Sequence, residues 1–124
     1  MFELDLKSRK SIYEQVMDNL KEQIMTGTLQ AGGKLPSVRE LSKAITVNPN
    51  TIQRAYMELE KLGLIYPVKG RGNFVADSSQ VQKINRESYR KEFTALIQKG
   101  RNTGFNREEL EKMLVETIEK EDES

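Results

Sequence analysis

The run Asn48-Pro49-Asn50-Thr51-Ile52-Gln53-Arg54 gathers side chains able to read a nucleic-acid duplex. Asn and Gln bond adenine edges with two hydrogen bonds, Arg does the same to guanine, and Thr bonds phosphate or packs on the thymine methyl. Asn48 followed by Pro49 is a cap with proline at the first helical position, so these residues open a helix. Asn48, Asn50, Thr51, Gln53 and Arg54 are therefore candidate DNA-binding residues. Asn48 and Thr51 also suit a purely local capping role, which does not exclude a DNA contact. Arg39 stands in the first turn of the preceding helix, where a cation opposes the helix dipole. Contact with phosphate or guanine explains it better than local stability. Lys69, Gly70 and Arg71 form a basic tip in which glycine lets backbone approach a duplex and cations reach the minor groove or its phosphates. A solvated turn is the bland alternative. Lys7, Arg9 and Lys10 are weaker candidates for phosphate contact.

Other chemistries find little support. The 124 residues contain no Cys and no His, which removes thiolate ligands, the commonest metal ligand and the commonest general base. Glu58 and Glu60 read as helix surface, so no catalytic residue, cofactor or metal is expected and the chain is not read as an enzyme. Residues 1–75 carry eleven Lys/Arg against eight Asp/Glu, and the remainder nine against eleven. That mild front-half excess suits phosphate but does not establish nucleic-acid binding. The early acids Glu3 and Asp5 argue against a signal peptide, and nothing approaches the ~18 apolar residues of a membrane span. A cytoplasmic protein without membrane association is expected.

Several elements position these candidates. Phe2, Leu4 and Leu6 alternate with charge and predict a short extended arm. Ser11 with Glu14 forms a capping box, and Ile12, Val16, Leu20 and Ile24 predict a helix ending at Gly27. Gly32-Gly33 predicts a turn, and Lys34-Leu35 a very short strand. Ser37 and Glu40 start a second helix with Leu41, Ala44 and Ile45 inward. Val47 and Ile52 occupy staple positions around the third helix, whose stripe is Ile52, Ala55, Tyr56, Leu59 and Leu62 before Gly63. Strands over 65–68 and 73–75 join through the basic tip, with Pro67 confining the first to an edge. Two capped helices, a Thr-Val turn and a basic hairpin make a winged helix-turn-helix.

A fourth helix is predicted from about Ser79 to Lys99 and a turn from Gly100 to Gly104. Asn106 and Glu109 cap a fifth helix, with Phe105 and Leu110 at staple positions. Two helices are too few to close a core. Their stripes either fold back on the N-terminal domain or meet a second copy, and four helices make the better bundle. The fold expected is mainly α with a small β-hairpin wing: residues 1–76 as a winged helix-turn-helix DNA-binding domain, and 77–124 as a helical-hairpin dimerisation region with an acidic tail.

Ile12-Tyr13-Glu14-Gln15-Val16, Leu35-Pro36-Ser37 with Arg39-Glu40-Leu41, Val47-Asn48 with Thr51, Ala55-Tyr56, Leu59-Glu60 with Gly63, and Gly70-Arg71-Gly72 with Phe74-Val75 resemble the GntR family. The short two-helix extension is similar to its YtrA subfamily, whose members lack large effector domains. The resemblance implies a dimeric bacterial transcription regulator, usually a repressor, often of transport-related operons; for such a homodimer, two symmetry-related reading helices imply a near-palindromic double-stranded DNA operator. It also implies contacts at Arg39, Asn48, Asn50, Thr51, Gln53 and the Gly70 wing. Some relatives carry arginine where this chain has Pro49 and Gln53, so the operator is expected to differ. Two other readings stay open: a winged-helix protein-interaction module without duplex binding, and a fragment of an aminotransferase-fused regulator, against which the chain shows no sequence resembling a pyridoxal-binding domain. An unidentified small-molecule effector has room between the two regions in this reading, and no residue constellation identifies it.

Overall fold

Ser11, Ser37 and Asn106 each accept a hydrogen bond from the N–H of a glutamate three residues on, whose carboxylate accepts from the cap residue's own N–H. These reciprocal caps start helices α1 (Ile12–Thr26), α2 (Val38–Ile45) and α5 (Arg107–Asp122), as expected from the sequence. The computed structural model describes residues 3–124. Between α2 and α5 lie α3 (Pro49–Lys61), the antiparallel strands β1 (Ile65–Val68) and β2 (Gly72–Val75), and α4 (Ser78–Thr103). The register pairs Ile65 with Val75 and Pro67 with Asn73, so β2 begins one residue earlier than predicted. Packing divides the chain between Asn85 and Arg86.

In the first unit, Val16 and Leu20 of α1, Leu41 of α2, and Ile52 and Leu59 of α3 meet Leu35, Leu64 and Val75 in one core. The staple residues Val47 and Ile52 are both buried there. Two apolar residues assigned inward are instead outside. Ala44 is exposed because the inner face of α2 follows Val38, Leu41, Ser42 and Ile45, and Ala44 lies off that stripe. Leu62 is 40% exposed because α3 ends there. Gly63, at φ +80°, reverses the chain: its N–H bonds the Glu60 carbonyl, and the Leu64 N–H bonds the Leu59 carbonyl at 3.0 Å. This paired closure carries Leu64 back onto Leu59, and Leu64 takes the core place.

The predicted N-terminal arm is only partly present. Phe2 lies outside the described residues, Leu4 packs on the core, and Leu6 is exposed. Buried Gln15 pins the segment instead. Its amide oxygen accepts from the Asp5 N–H at 2.7 Å, and its nitrogen donates to the Asp5 and Lys10 carbonyls. Ser42, also buried, donates to the Val47 carbonyl across the α2–α3 turn. Tyr56 ties α3 to the chain entering α2 by donating to the Pro36 carbonyl at 2.6 Å, and burial pushes its hydroxyl pKa up. Tyr56→Phe is expected to cost about 0.5–1.5 kcal/mol in urea unfolding, the usual worth of one intramolecular hydrogen bond. Val81 and Ile84, in the opening turns of α4, also pack on this core.

In the second unit the end of α4 departs from expectation. The helix runs through Gly100 to Thr103, and the turn narrows to Gly104 and Phe105. A Cβ at Gly100 would stand 3.0 Å from Leu110 Cδ2, so glycine permits the close approach of α5. No residue of α4 or α5 is fully buried. Phe93, Leu96, Leu110, Met113 and Leu114 line an open apolar cleft of about 720 Å³ between the two helices.

Candidate nucleic-acid interface

Asn48 caps α3 by accepting the Asn50 N–H on its amide oxygen at 2.8 Å. The cap uses one of that oxygen's two lone pairs and fixes its direction, so a two-bond pairing of Asn48 with adenine would share the oxygen with the cap. Beyond it, Asn50, Gln53 and Arg54 are exposed and Thr51 is half-buried, while Ile52, Ala55, Tyr56 and Leu59 are buried on the opposite side. The first turns of α3 therefore present a polar flank to solvent on a helix anchored by its apolar stripe. Arg54 is not extended: its guanidinium carbon lies 3.9 Å from the centroid of the Tyr13 ring, a cation–π contact to α1. Only the α1–α3 packing brings these two residues together.

Arg39 is exposed in the first turn of α2. Its neighbour Glu40 is occupied with the cap. The Ser37 N–H and hydroxyl hold the Glu40 carboxyl below the usual carboxylate range, with a smaller contribution from the Lys34 charge. Lys10, in contrast, is paired with Asp18 at 2.6 Å, and that contact raises its pKa. Among the described residues no group of His, Cys, Asp and Glu side chains could hold a metal ion, and no helix is long and apolar enough to cross a membrane.

The hairpin tip holds Lys69, Gly70 and Arg71 exposed. The Arg71 N–H bonds the Val68 carbonyl at 2.9 Å, and Gly70 sits at φ +76°, the left-handed position this tight turn requires. Tyr66 and Phe74 stiffen the hairpin as a stacked cross-strand pair, with centroids 6.0 Å apart. The short strand expected at Lys34-Leu35 is a single bridge, Lys34 to Phe74. It is reinforced by the Gly32 N–H to the Val75 carbonyl, the Val75 N–H to the Gly33 carbonyl, and the Leu35 N–H to the Asn73 carbonyl. This edge carries Lys34, absent from the sequence-derived candidates, to the base of the wing. Its proximity follows from pairing across about forty residues, which no local spacing reports.

Residues 12–75 match the family described as "Bacterial regulatory proteins, gntR family". The chain belongs to the GntR family. Its fold is the winged helix-turn-helix of GntR regulators, and the class of these proteins is transcriptional regulator, not enzyme. The HTH-type transcriptional repressor YtrA of Bacillus subtilis is 40% identical over 68% of this chain. That match spans 65% of the YtrA chain, just under two thirds of its length. A GntR family transcriptional regulator from Listeria monocytogenes superposes with a TM-score of 0.73 at 35% identity, covering 90% of this chain and 98% of that one. The AraR DNA-binding domain, solved in complex with operator ORR3, superposes with a TM-score of 0.51 at 34% identity over 60% of this chain and 93% of its own.

Proposed function

We propose that this GntR-family DNA-binding regulator acts as a homodimeric repressor on a near-palindromic operator, in the cytoplasm. The observation that carries the reading is the polar flank of α3, exposed beside a basic wing and held by a fully buried opposite face. The likeness to an AraR domain solved on its operator supports α3 as the element entering the major groove. In this reading residues 1–76 form the DNA-binding domain. Gln53 and Asn50 face base edges, Arg39 and Thr51 face phosphate or base, Arg54 faces phosphate from its seat on Tyr13, and Lys69, Gly70 and Arg71 follow the adjacent backbone. Residues 77–124 pair two copies. The apolar cleft between α4 and α5, with Leu96 at 66% and Leu114 at 44% exposure, supplies the surface that a second hairpin covers to make four helices. Two symmetry-related α3 helices then occupy half-sites about one helical turn, or a multiple of it, apart. No effector site is assigned.

Arg39→Ala and Gln53→Ala are each expected to weaken operator binding by about 1–3 kcal/mol and to relax preference at the base each one reads. Titration of an operator selected from genomic DNA checks both. Affinities equal to wild type for both variants would take these residues out of the interface. The protein-interaction alternative is separated by salt. A regulator contacting phosphates loses affinity steeply as salt rises, whereas a protein-binding wing shows no duplex binding even at low salt.

A further inference from the structure

Lys34 stands opposite Phe74 in an antiparallel bridge, so its diagonal neighbour on the same face of β2 is Gly72. The lysine stem crosses that glycine: a Cβ built at Gly72 would lie 3.1 Å from Lys34 Cε and 3.9 Å from Nζ. Phe74, two residues along the face, carries a ring, whereas Gly72 has no side chain and leaves the strand surface low. The ammonium is thereby set beside the first residue of β2, next in the chain to Arg71. Three residues beyond Lys34 the α2 cap begins at Ser37, with Arg39 in its first turn. Lys34 thus adjoins the start of α2 along the chain and the wing through its bridge, two of the elements assigned to DNA. Glu40 is the nearby acid that could neutralise it. However, the Glu40 carboxylate accepts from the Ser37 N–H at 2.9 Å, and among the described residues Lys34 makes no ion pair. Lys34 is exposed. An exposed cation whose stem runs over a glycine, with no ion pair and only the weaker field of Glu40 acting on it, suits a phosphate.

We propose that Lys34 is a DNA-backbone contact bridging the α2 and wing sides of the interface, its stem passing over Gly72. This rests on the α3-and-wing reading of the site. Lysine is a point charge without bidentate geometry, so the contact contributes affinity and register but no sequence preference.

The test measures binding of wild type, Lys34→Gln and Lys34→Arg to a mixed-sequence duplex and to a selected operator across a salt series. Lys34→Gln is expected to reduce the magnitude of the log K against log salt slope by about 1 per bound protomer. Near physiological salt it should weaken both duplexes equally, by about three- to tenfold per protomer. Lys34→Arg should keep the wild-type slope, and melting temperatures should agree among the three proteins. An unchanged slope for Lys34→Gln, with wild type binding normally, overturns the proposal. So does a loss confined to the operator, which would make Lys34 a base reader. Failure of wild type to bind either duplex would overturn the interface reading, and Lys34 with it.

Discussion

Leu114→Glu is expected to leave the protein monomeric and to lower operator affinity by about 10²–10⁴-fold, the avidity lost when two linked sites act singly. Leu114 lies on α5 within the apolar cleft and is 44% exposed in the protomer. A second hairpin would cover it, and an unpaired carboxylate there costs several kcal/mol in desolvation. No residue of α4 or α5 is fully buried, so the substitution removes nothing from the first unit's core. Sedimentation should give the monomer mass, while the thermal transition of the first unit stays in place. A dimer that survives Leu114→Glu would move the interface off the cleft. A monomer that keeps full operator affinity would show that pairing is not how the operator is held.

Ile52→Ala should destabilise the first unit by about 2–5 kcal/mol, the usual cost of truncating a fully buried large aliphatic side chain. That is a large fraction of the ~5–15 kcal/mol that holds a domain together. Ile52 is fully buried and pairs with Val47 as the staple that sets the approach of α3. It also sits between Thr51 and Gln53, so loosening it disturbs the polar flank directly. The melting temperature should fall by about 4–8 °C for each kcal/mol lost in a domain of this size. Duplex affinity should drop well below the melt, with the polar flank proposed to meet the bases no longer pre-positioned. Denaturant unfolding with a loss under about 1 kcal/mol would mean the core collapses around the gap more completely than its packing suggests.

The helices were legible because their signals are local. Reciprocal caps at Ser11, Ser37 and Asn106, proline after Asn48 and the four-residue apolar spacing of α1 act within one or two turns, and all five are as read. The exchange of Leu62 for Leu64 was not legible, since both are leucines and only the closure around Gly63 selects between them. Continuation of α4 through Gly100 was hidden for a related reason. Glycine punctuates a helix locally, but here the approach of Leu110 uses the missing side chain.

The candidate site divides along the same line. Residue order alone placed polar side chains on the outer flank of a capped helix and a basic tip on a hairpin, because capping and period are properties of neighbouring residues. Tertiary packing decided what those residues meet: Arg54 laid on Tyr13, Gln15 spent on the N-terminal segment, Lys34 drawn over Gly72. Each of these contacts joins segments distant in the chain. Their existence depends on how three helices and a hairpin close around Ile52, Leu59 and Leu64, and no local pattern contains that information.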